Sequence, residues 1–250
     1  MVASVRLRQV VLITRDLPVV TGHLQEEFGL ADGFKDEGVG GFGLENRVIA
    51  VGDCFIEVLT PLTDDSAGHR YLERRGRDGG YMAIFQFRDR DTPRRLADDL
   101  GIRIVWQADL DDISGTHLDP RDVPGAIMSL DWADPPGSWH WAGPAWRGAG
   151  VVAGPGGIRS LEVAVPHPAD AAGIWANVLG DGAELDGLTI TLAEAGQIIT
   201  FVASTDRRDE GIVGCGLEIP TPRGRPDSFA TEIGGVRFTV APPSLTEEMT

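Results

Sequence analysis

The sequence predicts an α+β protein built from repeated modules, each with a strand, a helix and further strands. Three observations support this class. Aliphatic and β-branched runs of strand length recur along the 250 residues, and the run that opens a module is followed by apolar residues at helical spacing. No run approaches the roughly 18 apolar residues that a membrane span needs. With 42% hydrophobic residues, the chain can bury one large core or two small ones.

The first module is predicted from the N-terminal quarter of the chain. Its elements are, in order, a strand at 7–14, a helix at 17–29, and strands near 45–51 and 54–60. Val20, Leu24 and Phe28 recur at helical spacing, and Gly29 is a typical stop signal. Gly52-Asp53 is a two-residue hairpin signal between the last two strands. We therefore expect a βαβββ-like unit.

Three further copies of the module follow. The second starts at Tyr81 and has a helix near Thr92 to Leu100 and strands near 103–107, 115–118 and 125–132. The third has a strand at 158–166, a helix from about Pro168 to Leu179 and two strands around Ala195-Gly196, and the shortened fourth comprises GIVGCGLEIP and GGVRFTVAPP. We expect a first domain at 1–133, a linker rich in Gly, Pro and Trp at 134–157, and a second domain at 158–250.

Composition excludes several classes of partner. The net charge of −16 and the pI near 4.6 argue against nucleic-acid binding, which needs clustered Lys and Arg. Cys54 and Cys215 lie far apart in apolar runs and are interpreted as buried small hydrophobes. The N-terminal stretch MVASVRLRQ has no apolar signal region. We expect a cytoplasmic monomer or homodimer with no membrane or nucleic-acid partner.

The stretches NRVIAVGDCFIEVLTPL and HLDPRDVPGAIMSLDW resemble the last strands of an epimerase-like module of the vicinal oxygen chelate superfamily. That superfamily includes glyoxalase I, methylmalonyl-CoA epimerase, type I extradiol dioxygenases and bleomycin-resistance proteins. The resemblance covers almost the whole chain and extends more loosely to glyoxalase-like domain proteins. It implies two curved mixed or antiparallel sheets, the second of them degenerate. It also implies a cup in which the first and last strands of each module hold a divalent metal.

The resemblance places the four metal-ligand positions on Gln9, Glu57, Met82 and Ser129. Gln9 and Glu57 are usable oxygen donors, but Met82 stands where the family has His and Ser129 where it has Glu. A thioether is soft and a neutral hydroxyl is a poor ligand for Mg, Mn, Fe, Ni or Zn. We therefore expect no cofactor. One divalent metal held by Gln9, Glu57 and a further ligand such as His117 is the alternative. The corresponding second-domain positions are Ser160, Thr200, Gly214 and Thr239, which form no ligand set.

Glu57 is the candidate catalytic residue. Strand alternation places it on one face with Phe55 and Leu59, and places Gln9 on one face with Leu7, Val11 and Ile13. A carboxylate in such apolar surroundings needs a raised pKa, a hydrogen bond from Gln9 or an arginine partner such as Arg47. With His117 as its acid–base partner near neutral pH, Glu57 would be a general base. The alternatives are an exposed rim position for Glu57 and an edge-strand position for His117.

Four of the six tryptophans are concentrated after the predicted cup, namely Trp132, Trp139, Trp141 and Trp146. Two interpretations are open. The segment closes over an apolar or planar ligand, with Trp139 and Trp141 as walls and His140 as a polar contact, or its rings pack the two domains together.

Two functions follow from these residues. The first is a small-molecule-binding protein of the bleomycin-resistance kind, which holds a small apolar or aromatic molecule in a cup lined by Phe55, Met82 and Ile84. The second is an isomerase- or lyase-type enzyme that acts on a carbonyl or enol substrate. It would use Glu57 as general base or a non-standard divalent metal site.

Overall fold

The computed structural model describes residues 4–148 and 156–243. They form two seven-stranded mixed sheets with flanking helices, so the predicted α+β class is confirmed. The first sheet comprises β1 (Val5–Ile13), β2 (Leu44–Val51), β3 (Cys54–Pro61), β4 (Gly79–Phe87), β5 (Ile104–Asp109), β6 (Ile113–Leu118) and β7 (Ile127–Ala133). The second comprises β8 (Gly157–Val165), β9 (Glu184–Asp186), β10 (Thr189–Leu192), β11 (Gln197–Ala203), β12 (Gly211–Glu218), β13 (Phe229–Ile233) and β14 (Val236–Ala241). The helices are α1 (Leu17–Phe28), α2 (Ala67–Arg75), α3 (Asp91–Asp99) and α4 (Pro168–Leu179).

Both sheets follow one plan. Their strand orders are β2-β3-β1-β4-β7-β6-β5 and β13-β14-β12-β8-β11-β10-β9. In the first sheet β1 and β4 pair antiparallel at the centre, and each has a parallel partner, β3 and β7 respectively. In the second, β8 and β12 have the same relation to β11 and β14. This pairing is the repeat predicted from the sequence.

The modules are unequal in ways that the sequence pattern did not predict. In the first module, a single bridge between Phe34 and Val48 lies where a third strand would follow the helix. The fourth module has no helix in the described residues and gains β13. The short helix α2 was also missed, because among its apolar side chains only Leu72 is buried and no apolar stripe marks it. Its ends are nevertheless well defined: Ser66 caps its N-terminus and Gly76 ends it in the left-handed conformation.

One hydrophobic core joins the two sheets. The back of the first sheet and helices α1 and α4 pack with the second sheet in a single cluster of buried side chains. Phe28 of α1 packs against Phe238 of β14 with ring centroids 5.4 Å apart, and Phe85 of β4 packs edge-on against Trp175 of α4 at 5.9 Å. The second sheet thus covers the back of the first. No helix in the described part of the chain is long and apolar enough to cross a bilayer.

A β-bulge in β1 determines which residues face the candidate site. The register against β4 shifts between Leu7 and Gln9, so Arg8 is an extra residue on β1. Leu7 packs in the shared core, whereas the side chain of Arg8 lies over the rings on the opposite face. The prediction that Leu7 and Gln9 share a face was therefore wrong, because the bulge interrupts strand alternation. Gln197 of β11 holds the bulge: its side-chain oxygen accepts from the Leu7 N–H (2.7 Å) and its nitrogen donates to the Leu7 carbonyl (2.8 Å).

Candidate functional site

The open face of the first sheet lines a cavity of about 780 Å³, which we call the cup. Its walls are largely apolar and aromatic, and its polar groups are few. Seven of the predicted site residues line it: Gln9, Glu57, Met82, Ile84, His117, His140 and Trp141. The remaining three, Phe55, Ser129 and Trp139, lie one layer behind the wall.

The Trp-rich segment folds back onto the first sheet. Trp139 is fully buried and stacks on Phe55, with ring centroids 6.0 Å apart and the planes within 10°. The Arg8 guanidinium lies 5.3 Å from both ring centroids, and Trp146 meets Phe55 edge-on at 5.0 Å. Phe55 and Trp139 are therefore packing residues rather than the ligand contacts that the sequence predicted. Trp141 alone of this segment's tryptophans lines the cup.

Glu57 accepts two hydrogen bonds from side-chain amides. Gln9 Nε2 donates to its Oε2 at 2.7 Å, and Asn46 Nδ2 donates to its Oε1 at 2.6 Å. Both amides are oriented from behind. Trp139 Nε1 donates to Gln9 Oε1 at 2.7 Å, and the backbone N–H of Asp36 donates to Asn46 Oδ1 at 2.9 Å. Because both amide oxygens already accept, the amide NH₂ groups must face the carboxyl.

The pKa of Glu57 is raised to about 7 by burial, even though the hydrogen bonds from Asn46 and Gln9 favour the ionised form. Of the three alternatives that the sequence left open, the raised pKa and the hydrogen bond from Gln9 are found, and no arginine among the described residues pairs with Glu57. Arg47 instead donates from Nη1 to the Asn46 backbone carbonyl at 2.7 Å. At neutral pH, Glu57 therefore populates both its acid and its carboxylate form, which a proton-transferring group requires.

Asp131 is a second buried carboxyl in the cup, and it was not predicted from the sequence. Its Oδ1 accepts from the Ser129 hydroxyl at 2.5 Å, and its Oδ2 accepts from Trp141 Nε1 at 2.7 Å. Burial raises its pKa to about 7. Ser129 does not line the cup as predicted; it supports Asp131 from below. Strand alternation was the available signal, because Ser129 and Asp131 are two positions apart on β7 and share a face.

Glu57 and Asp131 lie on different strands that border the same cavity. β3 and β7 are three strand spacings apart in the sheet, or about 14 Å along its surface at about 4.8 Å per strand. The negative charge of Asp131 contributes to the raised pKa of Glu57. An acid and a base of matched strength thus border one apolar space.

The two histidines of the cup have different environments. His117 packs against Trp106 with ring centroids 4.3 Å apart, and burial lowers its pKa to about 4. It is neutral at physiological pH, so the prediction of an acid–base partner near neutral pH was wrong. His140 is exposed at the rim, where its Nδ1 lies 3.1 Å from the carboxylate of Asp112. His140 also lines the cup, and the polar contact with a ligand stays a prediction.

The residues at the superfamily's four ligand positions do not fit a divalent metal. Gln9 Oε1 already accepts from Trp139, Met82 offers a thioether, and the Ser129 hydroxyl donates to Asp131. Glu57 remains as the single hard donor. Across residues 4–148 and 156–243, no three His, Cys, Asp or Glu side chains are grouped to hold a metal ion.

Comparisons with known proteins bear on the fold alone. No family model and no curated protein matches the chain. A hypothetical protein from Staphylococcus aureus is similar in structure over 96% of this chain and 100% of its own, with a TM-score of 0.69 and 8% identity. The methylmalonyl-CoA epimerase from Mycobacterium tuberculosis matches 53% of this chain and 91% of its own, with a TM-score of 0.47 and 20% identity. A hypothetical protein from Bacillus halodurans matches 52% of this chain and 94% of its own, with a TM-score of 0.44 and 17% identity. The two-sheet fold is therefore shared with the staphylococcal protein, and the two half-length matches are too distant to carry an argument.

Proposed function

We propose that this protein is an isomerase-type enzyme that moves a proton on a carbon acid beside a carbonyl group, with Glu57 and Asp131 as the two proton-transferring groups. One observation carries the proposal: two buried carboxyls, each with a pKa of about 7, border one largely apolar cavity. Environments that tune carboxyls to neutral pH are typical of general acid–base sites.

The proposed reaction balances without a cofactor. The Glu57 carboxylate removes the proton on the carbon next to the carbonyl, and the bonding electron pair moves to the carbonyl oxygen to give an enolate. Asp131, in its acid form, then returns a proton to carbon through an intervening water, since its strand lies about 14 Å from that of Glu57. Glu57 finishes protonated and Asp131 ionised, and exchange with solvent restores the starting state. The hydrogen bonds from Gln9 and Asn46 fix the direction in which the Glu57 oxygens point.

The cup favours a flat, largely apolar substrate. Its walls include Tyr81, Trp106, Trp141 and Met82, and a polarizable thioether adapts to a ring or an alkyl chain. A cavity of about 780 Å³ is in the range of small-molecule sites. Ketones with an acidic C–H group between the carbonyl and an aromatic ring therefore suit it as probes.

Proton exchange tests the proposal directly. 2-Tetralone, 2-indanone and phenylpyruvate are incubated with the protein in D₂O, and deuterium incorporation beside the carbonyl is followed by NMR. We expect exchange above the buffer rate for at least one probe, and a loss of about 100-fold or more in Glu57→Gln and in Asp131→Asn. Glu45→Gln, a carboxyl on β2 that pairs with Lys35, is the matched control and keeps the parent rate. Uncatalysed exchange of all three probes, or parent rates in both variants, would contradict the proposal.

A binding protein without catalysis is the second candidate, and the aromatic lining of the cup favours it. In that case 2-naphthol would quench the Trp106 and Trp141 fluorescence, with equal affinity in the parent and in Glu57→Gln. Binding of this kind together with buffer-rate exchange of all three ketones would favour the second candidate over the first.

A further inference from the structure

A second, smaller cavity of about 340 Å³ adjoins the cup and is lined by four arginines. We propose that it binds an oxyanion group, phosphate or carboxylate, of the ligand whose apolar part occupies the cup. This inference rests on ligand binding in the cup, which both candidate functions share, and not on proton transfer.

The arginines come from two parts of the chain. Arg70, Arg74 and Arg75 belong to α2, and Arg207 belongs to the loop between β11 and β12. The first two are one helical turn apart and so lie on the same side of α2. The loop and the helix therefore converge on one pocket between the two halves of the molecule.

These four guanidinium groups share one cavity and lack counter-charges. Among the described residues, none of the four has a carboxylate partner within 4 Å, whereas their neighbour Arg77 pairs with Asp209 at 2.6 Å. A guanidinium stays protonated in proteins, so its charge is not removed by a pKa shift. The one acidic residue that lines the pocket in the described part of the chain, Glu210, accepts from Arg75 through its backbone carbonyl.

Arg75 is the buried member of the cluster. It is 3% exposed, and its Nε and Nη2 have no hydrogen-bond partner among the described residues. Nε and Nη2 lie against Gly79 of β4, so a bound oxyanion would offset the charge of Arg75 without a hydrogen bond to these two atoms. A buried cation without an anion is costly. The chain as a whole carries a net charge of −16 and repels anions, so a local cluster of arginines is needed to hold one.

The pocket and the cup are neighbouring cavities that share three lining residues. Ala67, Tyr81 and Ile127 line both cavities. The register shift opposite Val11 and Leu12 makes Tyr81 an extra residue on β4, and this bulge brings it to the boundary. A ligand that extends past these three residues reaches the carboxyls of the cup at one end and the arginines at the other. An apolar carbonyl compound with a terminal phosphate or carboxylate has this form.

Calorimetric titration at low ionic strength tests the inference with four probes: 1-naphthol, 1-naphthyl phosphate, 1-naphthoate and inorganic phosphate. We expect 1-naphthyl phosphate to bind at least about tenfold more tightly than 1-naphthol. The double variant Arg74→Gln/Arg207→Gln should lose about this factor for 1-naphthyl phosphate and none for 1-naphthol. Both residues are exposed, so neither change threatens folding. Comparing 1-naphthoate with 1-naphthyl phosphate decides which oxyanion the pocket prefers.

Arg95→Gln is the matched control, because Arg95 is an exposed arginine on α3 outside the pocket. It should change no affinity. Equal binding of 1-naphthol and 1-naphthyl phosphate would overturn the proposal, as would equal losses in Arg95→Gln and the double variant. Inorganic phosphate that binds as tightly as 1-naphthyl phosphate would show an anion site unconnected with the cup. These affinities are measured independently of deuterium exchange, so a failure of the proton-transfer proposal remains distinguishable from a failure of this one.

Discussion

Asp131→Asn should make the protein more stable above neutral pH and leave its stability unchanged in acid. The carboxyl is 2% exposed, and burial raises its pKa from an ordinary value of 3.8 to about 7. An acid whose pKa is raised on folding keeps its proton to higher pH in the folded state than in the unfolded chain. The parent protein therefore loses stability as the pH rises from about 4 to about 7. An Asn at this position does not titrate and escapes that loss.

The structure sets an upper bound on the gain. Each tenfold change in an acid constant is worth about 1.4 kcal/mol, so the change from 3.8 to about 7 corresponds to at most about 4 kcal/mol. The Asn side chain also fits the hydrogen bonds. Its oxygen accepts from Trp141 Nε1, and its NH₂ donates to Ser129 Oγ, whose hydroxyl is free to rotate. Glu57→Gln is a less suitable test, because a Gln amide would direct its NH₂ toward the NH₂ of Gln9 or Asn46.

Urea denaturation at pH 5, 6, 7 and 8 measures the effect on the free energy of unfolding. The difference between Asp131→Asn and the parent should grow with pH and level off near pH 8. Asp109→Asn is a control of opposite sign: the hydrogen bond from Arg94 lowers the pKa of Asp109, so its contribution is fully present from pH 5 to pH 8 and the variant should show a loss of stability that does not change over this range. A difference for Asp131→Asn that is zero at pH 8, or the same at every pH, would refute the assignment of a neutral-range pKa to Asp131.

Three further predictions follow from the site. Asn46→Ala removes a donor that favours ionised Glu57, so the acid limb of the pH dependence of proton exchange should move to higher pH; an unmoved limb would contradict this role. Trp139→Phe leaves Gln9 Oε1 buried without a donor, so urea denaturation should show a loss of about 1–3 kcal/mol in the free energy of unfolding. A loss near zero would count against a stabilising role for the hydrogen bond from Trp139 to Gln9. Because Met82 lies at a ligand position, protein purified without chelator should hold far less than one equivalent of Fe, Ni, Zn or Mn after dialysis; elemental analysis that finds one equivalent would disprove this.

Much of the fold was predictable because apolar runs at strand and helix spacing mark its main elements. Residues 54–60 and 158–166, for example, correspond to β3 and β8 within one or two positions. The missed elements had no such marking. Helix α2 is rich in arginine and buries little apolar surface, and β9 consists of three exposed residues. Local capping and pairing, rather than an apolar pattern, determine such elements.

The site was predictable where a residue type is unusual in its strand, and not where the site depends on tertiary partners. Glu57 was found because the resemblance assigns it a ligand position and because a carboxyl interrupts an apolar run. Asn46 lies near the edge of the sheet, where polar residues are ordinary, and only the folded chain brings its amide to Glu57. His117 was predicted to be an acid–base partner because the ordinary pKa of histidine is near neutral, whereas its surroundings in the fold are aromatic rings.

The bulge at Arg8 makes the structure of the first half of the chain depend on the second half. Its backbone hydrogen bonds are completed by Gln197, which lies in the half that forms no ligand set. If the half with the cup were produced without the other half, it would lose the two hydrogen bonds that hold the bulge next to Gln9. The apolar back of its sheet would also be exposed. Two fragments separated by a cut within 149–155 should each misfold alone yet reassemble when coexpressed. The shared core therefore implies that neither half folds on its own and that the two fragments complement each other. The composition of the linker had indicated two separable domains instead.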